Sequence, residues 1–156
     1  MLNVQVTITG DKETIFKLKK LGNELSNWRP ELEQVADYLE NFYKGPVFET
    51  QGAIFGERWV ALNPFYELWK RKNYPGRGIL EATGKMRKNW QRKVNDSRMV
   101  LANMTPYAKY HQQPDGPGKG IMPKRVIIKF DDKNKKYVVN IFKNAIINKI
   151  ANAAKN

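Results

Sequence analysis

The sequence has no cysteine, one histidine (His111) and two serines (Ser26 and Ser97). A chain without cysteine forms neither disulfide bonds nor thiolate metal sites, which is typical of proteins that fold in a reducing compartment. One histidine cannot supply a pair of imidazole metal ligands, and neither serine lies in the sharp strand-to-helix turn of a hydrolase nucleophile. We therefore expect no catalytic site, no metal and no cofactor.

Long apolar runs are absent as well. No stretch approaches the roughly 18–20 apolar residues that cross a bilayer, and the N-terminus lacks the basic segment followed by an apolar one that marks a secretory signal. The 156 residues are 41% hydrophobic and 28% charged, which is enough for a folded domain with its own core. The sequence predicts one domain over residues 1–156 that makes no contact with a membrane.

Acidic residues become scarce after residue 69, so the net charge of +13 is unevenly distributed. Residues 1–69 carry a net charge of −3, whereas residues 70–98 and residues 99–156 carry +8 each. In the middle segment the cations are interleaved with tryptophan and tyrosine, a mixture that suits DNA phosphates or an acidic protein. A solvated, lysine-rich surface has the same composition, and both interpretations stay open. The candidate contacts are Lys70, Arg71, Lys72, Arg77, Lys85, Lys88, Arg92 and Lys93.

Apolar periodicity predicts five helices and a single helical turn at Pro106–His111. The helices cover residues 12–22, Pro30 to Tyr43, the residues after the Asn63-Pro64 cap, Leu80 to Arg92, and the stretch after Asp131 and Asp132. By the same period, the side chains expected to point inward include Phe65, Leu68, Trp69 and Trp90.

Alternating β-branched residues predict a strand at residues 2–9, and Asn95-Asp96-Ser97 predicts the turn of a hairpin between residues 91–94 and 98–104. A further short strand is predicted at 125–130. Residues 113–123 are rich in glycine and proline and should form an exposed loop, and residues 151–156 a flexible tail. The expected fold is α+β: a small mixed or antiparallel sheet packed by several amphipathic helices, with a long Gly/Pro-rich loop and a C-terminal helix.

Four short motifs follow one another along the chain. They are Trp59-x-x-Leu62, Ile79-Leu80-x-x-Thr83-Gly84-x-Met86, Tyr107-Ala108-x-Tyr110-His111-Gln112 and Pro123-x-Arg125. In order and spacing they resemble the phage virion morphogenesis proteins of the Mu-like tail completion group, which is similar to small neck and tail-terminator proteins of long-tailed phages. The likeness extends over roughly residues 30–150. The chain departs from the group's pattern at Met86, where leucine is usual, and in the loop after His111-Gln112.

The resemblance implies a structural virion protein without enzymatic activity, made in the bacterial host cytoplasm and acting in tail completion or head–tail joining. It also implies a ring of identical subunits that contacts other neck or tail proteins, with DNA passing through its lumen without being read. The loop at 113–123 and the C-terminal helix are the expected subunit contacts. The motif residues expected to hold the fold together are Trp59, Leu62, Leu80, Thr83, Gly84, Tyr107, Ala108, His111 and Arg125.

The composition also bears on two other classes of function. The charge alone would suit a standalone protein that binds nucleic acid without sequence specificity. A cell-wall hydrolase would need an acid pair or a metal site, and the sequence supplies neither.

Overall fold

The computed structural model describes residues 12–112 and 123–154, with side chains from residue 16 to 112 and from 123 to 153. The predicted strand at 2–9, the predicted loop at 113–123 apart from Pro123, and the last two residues of the predicted tail therefore lie outside the described residues. The elements are α1 (Lys12–Ser26), α2 (Arg29–Lys44), α3 (Pro46–Glu49), a 3-10 turn (Ala53–Phe55), α4 (Pro64–Asn73), α5 (Lys85–Lys88), β1 (Trp90–Val94), β2 (Met99–Asn103), α6 (Ala108–Gln112) and α7 (Asp132–Ala154).

Helix α2 is the centre of the fold, as its broad apolar stripe predicts. Pro30 occupies the first turn, where its missing N–H has no helical partner to lose, and Glu31 complements the helix dipole. One side of α2 packs against α7 and the other against the strands. The stripe residues that this packing buries are Val35, Ala36, Leu39, Phe42 and Tyr43.

Strands β1 and β2 form the predicted hairpin, which is antiparallel and pairs Trp90 with Asn103 at its open end. The Asn95 side chain makes the turn, because its Oδ1 accepts hydrogen bonds from the backbone N–H of Ser97 (3.1 Å) and Arg98 (2.7 Å). The Trp90 ring stacks on Tyr43 of α2 with the ring centres 5.5 Å apart. The hairpin prediction is confirmed.

The predicted helix from Leu80 to Arg92 is wrong. Only α5 is helical in this stretch, and β1 begins two residues after it. Leu80 has a φ of +63° and Gly84 a φ of +71°, and left-handed residues interrupt a right-handed helix. The apolar spacing here arises from a turn and a strand that both pack on the core.

The predicted strand at 125–130 is wrong too. Residues 123–131 form no regular structure, and a side chain takes the place of a neighbouring strand. The Gln112 Oε1 atom accepts hydrogen bonds from the backbone N–H of Ile127 (2.8 Å) and Ile128 (3.0 Å).

The first and last helices pack against each other. Helix α1 continues to Ser26, beyond the end predicted at Gly22, and α7 continues through Ala154. Asp131 caps α7, because its Oδ1 accepts from the backbone N–H of Asn134 (2.8 Å). The observed fold is α+β, with a two-stranded antiparallel sheet, several helices and a C-terminal helix. No helix among the described residues is long and apolar enough to span a membrane.

Candidate functional site

Helix α4 turns its apolar side to solvent. Asn63 caps the helix by accepting a hydrogen bond from the backbone N–H of Phe65 (3.0 Å), as predicted. Phe65 is 83% exposed, Leu68 66% and Trp69 50%, whereas Lys70 is only 4% exposed. The prediction that Phe65, Leu68 and Trp69 point inward is therefore wrong. We call these three side chains the α4 face.

Lys70 explains this orientation. Its ammonium donates hydrogen bonds to the backbone oxygens of Arg77 (2.7 Å) and Gly78, which lie in the loop after α4. Burial lowers the pKa of Lys70, and the nearby carboxylates of Glu81 and Glu67 oppose the shift. Because a buried ammonium needs such partners, this contact fixes the polar side of α4 inward. Lys70 is therefore not part of the exposed basic surface that the sequence predicted.

A cleft of about 610 Å³ lies beside α4, and we call it the motif cleft. Side chains from all four sequence motifs meet there, although the motifs are far apart in the chain. The motif residues in its lining are Leu62, Leu80, Thr83, Tyr107, His111, Pro123 and Arg125, and α4 and the loop after it add Tyr66, Trp69, Lys70 and Tyr74. The motif residues thus line a surface cleft and do not serve only to hold the fold together. Sequence periodicity missed the contribution of Tyr66, Trp69 and Tyr74.

Arg125 and His111 form the polar part of the motif cleft. The buried Arg125 guanidinium donates hydrogen bonds to the backbone oxygen of Val60 (2.9 and 3.1 Å) and to that of Ala61 (3.3 Å). Burial and then the charge of Arg125 lower the pKa of His111, and a backbone hydrogen bond at Pro123 opposes the shift. His111 is therefore uncharged at neutral pH. Lys70 and Arg125 are the charged side chains in the lining.

Trp59, Gly84 and Ala108 have framework roles. The buried Trp59 donates from its Nε1 to the backbone oxygen of Val126 (2.9 Å) and meets Phe48 edge to face, with ring centres 5.4 Å apart. Gly84 provides the left-handed residue before α5. Ala108 packs against the core.

The structure divides the basic residues between 70 and 98 into different groups. Arg92, on the side of β1 that faces α2, forms ion pairs with Asp37, Glu33 (3.9 Å) and Glu40 (3.7 Å). Its hydrogen bond with Asp37 is the main cause that raises the pKa of Arg92. This arginine offsets part of the negative charge of α2 and joins the hairpin to it.

The remaining basic candidates are exposed. Arg71 pairs with Glu67 at 2.7 Å on α4. Lys85 and Lys88 lie one turn apart on α5, and Lys93 is exposed on β1. Within the described part of the chain no ion-pair partner is found for Lys72, Arg77, Lys85, Lys88 and Lys93. These five side chains are exposed, and among the described residues they have no ion-pair partner.

A second apolar surface lies on α7. Four aliphatic side chains that are each 40–61% exposed recur at helical spacing along one side of the helix. We call Val139, Ile146, Ile147 and Ile150 the α7 stripe. The opposite side of α7 is buried, for example at Ile141, so this helix is apolar on both sides. A helix that is apolar all round is usually covered on all sides.

Among the residues that the structure describes, no group of three or more His, Cys, Asp or Glu side chains is placed to hold a metal ion. A comparison with protein-family models matches residues 12–146 to the phage virion morphogenesis family. The chain belongs to this family. The match includes α4, all four motifs and the motif cleft, so the resemblance read from the motifs is confirmed, and with it a role in phage virion morphogenesis. Neither a search of curated proteins nor a search of solved structures found a match.

Proposed function

We propose that this member of the phage virion morphogenesis family is a structural, non-catalytic protein that completes the tail or joins head and tail as a ring of identical subunits. The observation that carries the proposal is the α4 face. A charged residue is buried beneath it while Phe65, Leu68 and Trp69 face solvent. Contiguous apolar patches of this kind mark protein–protein contacts.

The second apolar surface supports an assembly with more than two members. The α7 stripe lies on a different helix from the α4 face, so each subunit offers two distinct surfaces. When different surfaces of identical subunits meet head to tail, the assembly closes into a ring if the rotation allows it. This agrees with the expectation that the C-terminal helix makes subunit contacts.

The exposed basic residues would then face DNA in the lumen or an acidic neighbour. Lys72, Arg77, Lys85, Lys88 and Lys93 have the charge to neutralise phosphates, and phosphate contacts carry no sequence information. A lumen lined in this way lets DNA pass without a preferred stopping sequence.

Negative-stain microscopy and light scattering of the purified protein test the proposal. Rings or ring-forming oligomers are expected, and the protein should also be detected in purified virions at the neck or tail end. A protein that stays strictly monomeric and does not associate with tails would contradict the proposed function.

The rival function is a standalone protein that binds nucleic acid non-specifically, which the unpaired exposed lysines favour. Titration of duplex DNA at two salt concentrations separates the two functions. A standalone binder holds DNA at about 150 mM salt and shows a steep loss of affinity as salt rises. A ring component binds weakly or not at all as a free subunit, because a single subunit offers few of these lysines.

A further inference from the structure

The α4 face and the α7 stripe are both held outward by contacts on the opposite sides of their helices. Beneath α4, Lys70 is tied to two backbone oxygens. Beneath α7, Lys149 donates to the backbone oxygens of Glu24 and Asn27, at 3.0 Å each. Turning either apolar surface inward would break these bonds and leave the backbone oxygens without their lysine donors. Within residues 16–112 and 123–153, no segment covers either surface.

The α7 stripe is longer than the α4 face. The α4 face extends from Phe65 to Trp69, about 6 Å at a rise of 1.5 Å per residue. The α7 stripe extends from Val139 to Ile150, about 17 Å by the same measure. The stripe can therefore cover the α4 face along its whole length.

The exposed area is also adequate. With aromatic side chains of about 150–250 Å², the α4 face and the neighbouring Tyr66 and Tyr107 expose on the order of 500 Å². A standard interface buries about 800 Å² per partner, of which somewhat more than half is apolar. The α4 face with its aromatic neighbours can therefore supply the apolar centre of one ordinary subunit interface.

Charge does not prevent two copies from meeting here. Arg71, beside the α4 face, is paired with Glu67 at 2.7 Å. Lys143 and Lys149 are the charged residues between the members of the α7 stripe, and Lys149 is held by the backbone oxygens of Glu24 and Asn27. A long lysine can lie along the helix with its ammonium at the rim. The contact would bring together two apolar regions of a strongly basic chain and leave its other lysines outside.

We propose that the α7 stripe of one copy packs on the α4 face of the next copy, an inference that rests on the proposed ring. The contact is heterologous, because it joins different surfaces of identical subunits. The contact removes both apolar surfaces from solvent. It also places the motif cleft at the border of the subunit interface.

Two charge variants, Leu68→Glu on the α4 face and Ile147→Lys on the α7 stripe, test the contact by sedimentation velocity. Both positions are well exposed, so circular dichroism should match the wild type. Each variant alone should associate at least about tenfold more weakly, since a charge buried at an interface centre is strongly unfavourable. An equimolar mixture should form pairs, because the mixture restores one contact between two undamaged surfaces.

Val100→Glu, at a partly exposed position on β2, is the control and should associate like the wild type. Wild-type association by Leu68→Glu or by Ile147→Lys, or a mixture that stays monomeric, would overturn the inference. If the wild type still forms rings in that case, the proposed function remains valid, and only this contact between the α7 stripe and the α4 face is excluded. A wild type that is monomeric at every concentration and absent from tails would remove the proposed function together with this contact.

Discussion

Gly52 lies directly against the ring of Trp59, which belongs to the hydrophobic core. Gly52 has a φ of +82°, and a Cβ atom at this position would overlap the Trp59 indole ring. Gly52→Ala should therefore combine left-handed strain with a steric clash and lower the free energy of unfolding by about 2–5 kcal/mol. Urea denaturation followed by tryptophan fluorescence measures this loss.

Gly56→Ala is the matched control for that prediction. Gly56 also has a positive φ (+104°), but a Cβ atom there would meet nothing within 4 Å. Gly56→Ala should lower the free energy of unfolding only by the backbone strain, roughly 1–2 kcal/mol. Equal losses in the two variants would show that the contact of Gly52 with Trp59 does not matter.

The second prediction at the residue scale concerns His111. Because the chain has one histidine, its titration can be followed by proton NMR without resonance assignment. Burial and Arg125 lower its pKa below the ordinary 6.5. The unfolded chain then binds the proton at a higher pH than the folded protein, so stability falls as the pH drops below 6.5 toward the folded pKa. Proton NMR should place the imidazole midpoint below 6.5, and a midpoint at or above that value would contradict the prediction.

At the scale of elements, the start of α7 depends on one cap. Asp131 accepts the backbone N–H of Asn134 at 2.8 Å, and Asp131→Ala should lower the free energy of unfolding by about 0.5–2 kcal/mol. Asp132→Ala is the control, because Asp132 forms an exposed ion pair with Lys135, and such a pair contributes about 1 kcal/mol or less. Urea denaturation compares the two variants, and a larger loss for Asp132→Ala would disprove the assigned cap.

The elements also show how far a sequence alone predicts this structure. Helix α2 and the hairpin follow from periodicity and turn residues, because their apolar sides face the core of their own subunit. Helix α7 follows from its cap and from the apolar side that packs on α1 and α2. The orientation of α4 does not follow, since the pattern cannot show that Lys70 finds two backbone oxygens while Trp69 is left outside. The helix predicted from Leu80 fails for a local reason, the left-handed backbone of Leu80 itself.

The candidate site was only partly predictable for a related reason. The motifs group Leu62, Leu80 and Tyr107, but spacing along a chain does not indicate that these residues line one cleft. The basic candidate residues carry the same charge, but they do not lie at one place in the structure. Folding sets Lys70 beneath α4 and Arg92 against α2, and it leaves the other lysines on the surface.

At the scale of the whole molecule, the acidic side of α2 is neutralised internally while much of the basic charge is not. Arg92 forms ion pairs with three carboxylates of α2, and Arg87 forms ion pairs with Glu49 and Glu81. The protein therefore presents an excess of exposed lysine, and its field extends about 8 Å into a solution of physiological ionic strength. Subunits arranged in a ring would add these fields within the lumen.

The whole-molecule prediction concerns where this charge meets DNA. Lys85 and Lys88 lie one turn apart on α5 and are both exposed. Each phosphate contact contributes about 0.9 to the slope of log affinity against log salt. If duplex DNA follows this surface, changing both lysines to Gln should reduce the slope by about 2. Fluorescence anisotropy of a labelled duplex, titrated with the assembled oligomer rather than the free subunit, measures this slope between about 50 and 200 mM salt.

Lys133 and Lys136 on α7 provide the matched control, because they are exposed and have the same spacing. Their change to Gln removes the same net charge from a different surface, so it should leave most of the slope intact if the DNA path follows α5. A loss of slope that is equal for the two pairs would mean that net charge attracts DNA diffusely. The lysines of α5 would then hold no defined place on the DNA path, and the proposed lumen-facing surface would have to be sought elsewhere on the subunit.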